Sequence, residues 1–133
     1  MISSAEEFKL CVESDNENER IKAYGSASEE VWIEILRKYP ELSRKVAFNS
    51  TISVVILELL SQSDDEEVRW DIAMKRSLNR LTFERLANDN NPSVRHRIAC
   101  NTKTPQDILA KLSLDEDKMI SGAAKKRLKL PDS

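Results

Sequence analysis

Hydrophobic positions along the chain recur in a unit of about 25 residues. Each unit holds an alanine, at Ala23, Ala47, Ala73, Ala99 and Ala124, usually next to a second apolar residue. An apolar pair follows ten and thirteen places after the first four alanines: Ile33/Leu36, Leu57/Leu60, Phe83/Leu86 and Leu109/Leu112. These spacings place apolar residues on one face of a helix. A repeat of this length predicts a stack of small helical units rather than one globular core. The expected fold class is therefore all-α, a short helical-repeat solenoid with two short helices per unit.

The clearest unit runs from Asn91 to Asp115. Pro92 suits the first helical turn, where its missing N–H costs nothing. Val94, Ile98 and Ala99 share a face, and the helix is expected to stop near Asn101. Thr104 is the expected N-cap of the next helix and Pro105 its first residue. Ile108, Leu109 and Leu112 form its stripe. The preceding unit matches with Val68, Ile72, Ala73, Phe83 and Leu86, and Asp89 stands for Asp115. Leu42, Val46, Ala47, Leu57 and Leu60 make another. Met119, Ala123 and Ala124 open a truncated last unit. The first unit is degenerate, with Asn18 and Lys22 at apolar places, as terminal repeats often are. Ahead of it, Ser4 and Glu7 make a capping box for a helix whose apolar face is Phe8, Cys11 and Val12. The predicted boundaries are a capping helix at 3–14, units at 19–40, 41–64, 65–90 and 91–115, and the truncated unit at 116–128, within one domain spanning 1–133. The tail from Lys129 to Ser133 is expected to fray.

The run from Asn91 through Asp115, with Val94-Arg95, Ile98-Ala99, Asn101, Thr104-Pro105 and Leu109/Leu112, resembles the leucine-rich repeat variant, a HEAT-like helical repeat of bacteria. The resemblance covers roughly residues 41–128, and residues 19–40 fit loosely. It implies a right-handed superhelix with two short helices per unit. One member type carries an iron–sulfur segment. The two cysteines here fall short of the four such a cluster needs, so no cofactor is expected. Small free-standing HEAT-like proteins of bacteria include immunity proteins, which bind and block a toxin's active site. The resemblance thus implies a non-enzymatic protein-binding solenoid, in its sharpest form an immunity protein that neutralises a cognate bacterial toxin such as a nuclease. Two alternatives stay open. One is a nucleic-acid-binding protein related to the HEAT-like alkylpurine DNA glycosylases, which set tryptophans and an aspartate beside the lesion; Trp70-Asp71 is a faint echo of these. The other is an accessory scaffold subunit of a larger enzyme.

Charge adds a direction to this picture. The net charge of −2 conceals a balance of −8 over residues 1–67 and +6 over residues 68–133. The acidic half suits steering of a basic toxin domain. The basic half, with Arg76, Arg80, Arg85, Arg95, Arg97, Lys103 and the Lys125-Lys126-Arg127 run, is the nucleic-acid candidate. The pI of about 5.6 argues against a phosphate-driven binder. No basic segment or apolar run precedes Glu6 and Glu7, so no signal peptide is expected. The densest apolar stretch, Val54 to Leu60, contains Glu58 and is too short to span a bilayer. A cytoplasmic protein, monomeric when free, is expected, with Cys11 and Cys100 as separate buried thiols.

Candidate chemistry is sparse. His96 is the only histidine, and Gly25 and Gly122 the only glycines, so neither a His-rich metal site nor a phosphate loop is expected. Asp64, Asp65, Glu66 and Glu67 lack the alternation of a calcium loop and fit a helix N-terminus. Arg69 and Arg95 occupy equivalent places, as do Asp89 and Asp115. They form either a ladder of structural pairs between neighbouring units or a binding surface. The outward positions Arg44/Lys45, Trp70/Asp71 and His96/Arg97 are the expected partner-binding residues, with Trp70 the anchor. Trp32 aligns with Ile56 and Ile108 and is expected in the core. A secondary apolar patch is expected from Val31, Ile35, Val55 and Leu59, covered by Phe8 and Val12 or left for a partner.

Overall fold

Side-chain caps begin most of the helices and decide which face of each is buried. The chain divides into two compact units, Met1–Leu60 and Ser61–Ser133. In the first, Ser4 accepts the Glu7 N–H at 3.1 Å and opens α1 (Ala5–Glu13). The expected capping box forms in part: Glu7 takes the N–H of Ser3 at 2.9 Å and its hydroxyl at 2.6 Å, not the N–H of Ser4. Asn16 caps α2 (Glu17–Ile21) and Ser28 caps α3 (Glu29–Lys38). A 3₁₀ turn at Pro40–Leu42 leads into α4 (Ser43–Ala47), and α5 (Val54–Leu60) ends the unit. The second unit holds α6 (Glu66–Ala73), α7 (Arg80–Ala87), α8 (Pro92–Cys100), α9 (Gln106–Leu112) and α10 (Lys118–Arg127).

This computed structural model describes residues 1–129. Among them are ten α-helices, two 3₁₀ turns and no strand, with one isolated parallel bridge between Ile2 and Ala27. The protein is all-α. Of the tail expected to fray, Leu130 to Ser133 lie outside the described residues. Lys129 still turns, at φ 58°, and its N–H reaches the Lys126 carbonyl at 3.1 Å.

The core of the first unit is built on Phe8, Trp32, Ile35, Val46 and Ile56, all buried. Phe8 meets Trp32 edge to face, with centroids 5.5 Å apart at 80°. Val68, Ile72, Leu86, Val94, Ile98, Leu109 and Ile120 fill the second. Each such side chain is worth about 1.5–3 kcal/mol when fully removed from water.

Two expected registers need correction. In α3 the buried pair is Trp32/Ile35, whereas Ile33 is 44% exposed. Residues four and seven places beyond the helix start face the core: Phe83/Leu86 after Asn79, Leu109/Leu112 after Pro105, and Trp32/Ile35 after Ser28. The stretch from Ala23 to Ser28 is one residue shorter than those from Ala73 to Asn79 and Ala99 to Pro105, so counting from the alanine misplaces α3 by one. Ile35, expected on the apolar patch, is therefore fully buried; Val31 is half-buried, while Val55 and Leu59 are exposed. In α10 the buried residues are Ile120 and Ala124, and Met119 points to water. The caps Asp65, Asn91 and Asp117 stand 26 residues apart, which puts Ile120 at the place of Val94.

Thr104 also departs from expectation. Its hydroxyl donates to the Ile98 carbonyl at 2.6 Å, tying off α8 instead of capping α9, and Pro105 takes the cap position. Cys11 is buried as expected, but Cys100 is exposed at the end of α8.

Candidate partner-binding surface

A recurring set of side-chain bonds holds the turns of the second unit. Arg69 Nε donates to Asp89 at 2.8 Å, and Arg95 Nε donates to Asp115 at 2.9 Å. Nη1 of each donates to a carbonyl six residues back, Ser63 and Asp89, both at 2.8 Å. Each aspartate also accepts an N–H two residues on, from Asn91 and Asp117. Burial pushes the Asp115 carboxyl up, but the Arg95 guanidinium and the Asp117 N–H together hold it below its ordinary value. The Asp89 hydrogen bond holds Arg69 above its ordinary value against the cost of burial. The expected ladder of structural pairs is present, and both arginines are engaged in it.

Asparagine supplies a second recurring tie that the sequence did not disclose. The Asn101 amide donates to the carbonyls of Ala73 at 2.9 Å and Lys75 at 2.7 Å. In the first unit Asn49 does the same with Ala23 at 3.0 Å and Gly25 at 2.8 Å. The signal was an asparagine two places after the alanine of each helix. Arg127 closes the series by donating to the Asn101 carbonyl at 2.9 Å.

Held by these ties, α6, α8 and α10 present a groove of about 350 Å³ in the second unit, lined by Trp70, Ser93, His96, Arg97, Asp117 and Met119 among others. Trp70 is half-buried, and the Arg97 guanidinium lies over its ring, 4.8 Å from the centroid. Arg97 also approaches the Met74 sulfur. A smaller depression of about 190 Å³ shares Arg97 and is lined also by Met74, Arg76 and Cys100. The Cys100 sulfur lies 3.7 Å from His96 Nε2. Another depression, of about 380 Å³, covers the Arg95–Asp115 pair, whose charges already satisfy each other.

The structure thus brings Trp70, His96 and Arg97 together. Asp71 does not join them. It is only 3% exposed, because it falls on the inner side of α6 beside Ile72. Arg44 and Lys45 belong to the first unit, where the Arg44 guanidinium lies 5.8 Å from the Phe48 ring centroid and Lys45 is exposed. Sequence reasoning missed Met74, which sits where a helix ends and so carries no periodic signal, and it placed Met119 on the buried stripe instead of at the groove. It also missed the first unit's exposed Tyr24 and Phe48, which with Lys45 line a small pocket of about 70 Å³.

Among the described residues no group of three or more His, Cys, Asp or Glu side chains is placed to hold a metal ion, and no helix is long and apolar enough to cross a membrane. Asp65, from the acidic run, caps α6 by accepting the Glu67 N–H at 2.9 Å, and Glu66 accepts from Asn91 at 2.8 Å. No known protein family matches the chain, and no curated protein or solved structure does either.

Proposed function

We propose that this protein is a HEAT-like helical-repeat protein that binds a protein partner without catalysis, through the face formed by α6, α8 and α10. The observation that carries the reading is the half-buried Trp70 indole, stacked under Arg97 in an open groove flanked by methionines. An aromatic ring set beside arginine is the composition of an interface anchor, and thioethers adapt to a partner's shape. Recurrence of the Arg–Asp pairs and of the Asn49 and Asn101 bridges supports the repeat architecture and a rigid surface that needs little ordering on binding. The sharpest form of the proposal, which follows the resemblance to free-standing bacterial repeat proteins, is an immunity protein that blocks a cognate toxin domain in the cytoplasm.

Affinity capture followed by titration of the captured partner tests this. Trp70→Ala is expected to weaken binding by roughly thirtyfold, since a desolvated indole anchor is worth about 2 kcal/mol. Its helical circular dichroism should match that of the parent. Unchanged affinity would remove this face from the interface. Turnover of a substrate by the purified chain would refute the non-enzymatic reading.

A further inference from the structure

The charge state of the groove identifies what it would hold. The second unit contains 14 Lys/Arg and 12 Asp/Glu residues, so its field alone favours neither sign strongly. Its arginines are more informative. Arg69 and Arg95 pair with Asp89 and Asp115, and Arg80 pairs with Glu84 and Asp107. Arg85 reaches the Ser61 hydroxyl, and Arg127 the Asn101 carbonyl. Two remain, Arg97 and Arg76. Among the described residues Arg97 meets only the Trp70 ring and the Met74 sulfur, and Arg76 has no side-chain hydrogen bond or ion pair. Arg97 lines two depressions, the groove over Trp70 and the smaller one beside Met74, and Arg76 lines the second.

We propose that the occupant is an acidic segment of the protein partner, with carboxylates on Arg97 and Arg76 and an apolar side chain against Trp70 and Met119. A guanidinium presents five donors in a planar fork that fits a carboxylate with two parallel hydrogen bonds. Fixed beside the indole, Arg97 loses little freedom on engaging one. Two arginines match two or three carboxylates. They are too few for a nucleic-acid strand, whose affinity grows with the number of phosphates neutralised. Asp117, on the groove wall, keeps anionic groups to the Arg97 and Arg76 side and leaves the Met119 side to the apolar residue; its carboxylate accepts the Met119 and Ile120 N–H groups. This chemistry is opposite to the basic partner that the acidic first half suggests. It rests on the reading of this face as a partner surface and adds the sign of the ligand.

A phage library of random twelve-residue peptides tests it, selected on the intact chain and counter-selected on Trp70→Ala. The expected survivors carry two or more Asp or Glu residues flanking Leu, Phe or Trp. A synthetic survivor should lose about tenfold in affinity with Arg97→Gln, and again with Arg76→Gln, as charge-assisted hydrogen bonds are removed; melting temperature should hold. Survivors that depend on Trp70 but are uncharged or basic would overturn the acidic occupant and leave the partner surface standing. Absence of any Trp70-dependent peptide, or stronger competition from a twelve-nucleotide single strand than from the peptide, would overturn the proposal outright. The partner titration with Trp70→Ala judges the surface itself independently.

Discussion

Replacing Arg95 by alanine removes three hydrogen bonds at once. Nε and Nη2 reach the Asp115 carboxylate at 2.9 and 3.4 Å, and Nη1 reaches the Asp89 carbonyl at 2.8 Å. The two side chains are 16% and 11% exposed. Deleting one partner of a buried pair costs about 3–5 kcal/mol, because the other charge is left uncompensated. Slight water access and the Asp117 N–H, which stays on Asp115 at 2.9 Å, both soften that. The expected loss is about 2–4 kcal/mol, a fall of roughly 10 °C in melting temperature for a chain of this size. Urea unfolding followed by circular dichroism reads it directly. Arg95→Met keeps much of the aliphatic stem, so it should fall nearly as far if the charge pair carries the effect. The pair also fixes a pH dependence. Asp115 titrates below its unfolded value of about 3.9, so its contribution is fully present above that pH and is lost as pH falls through the lower folded value. The gap between parent and Arg95→Ala should be full at pH 7 and shrink below about pH 4. A stability change under about 0.5 kcal/mol at pH 7, the usual range for surface substitutions, would refute the structural role and free Arg95 for the surface.

Asn101→Ala strands the carbonyls of Ala73 and Lys75, and a loss of about 2–4 kcal/mol in urea unfolding is expected; a neutral result would show that water replaces the amide. Thr82 stands where Ile56 and Ile108 stand 26 residues away, and its buried hydroxyl has no partner among the described residues. Thr82→Val should raise stability by about 1 kcal/mol, and a decrease would reveal a hidden hydrogen bond. Gly122 sits mid-way along α10 with nothing within 4 Å of an added Cβ. Gly122→Ala is expected to stabilise by about 0.5–1 kcal/mol in the same assay, and destabilisation would mean that α10 is not helical there.

The second unit was more legible in the sequence than the first. Val94, Ile98 and Leu109 lie on the faces that helical spacing gave them, and Arg69 and Arg95 found their aspartates because equivalent residues recur at a fixed interval. Failures came where a polar side chain, which hydropathy ignores, overrode the apolar count. Ser28 turned Ile35 inward beside the expected Trp32 and Ile33 outward, and Asp117 put Ile120 in the place expected of Met119, with Ala124 buried as expected. Asp71 was misjudged because a carboxylate next to an outward tryptophan reads as surface; a step of 100° along a helix carries it inward. Arg97 was foreseen as outward, but its seat on the Trp70 ring joins different helices and leaves no mark in local spacing.

The position of Ser28 also sets where this chain can gain or lose residues. A residue added before the serine lengthens a turn already one shorter than its counterparts, and α3 keeps its orientation. A residue added between Ser28 and Trp32 rotates the rest of the helix by about a quarter turn and swings the indole off Phe8 toward water. The serine therefore acts as a phase reference: an insertion ahead of it keeps α3 in phase at the expense of the Asn49 and Ile2 ties to the Gly25 and Ser26 carbonyls, and the same change three residues later unseats the largest side chain in the first unit's core.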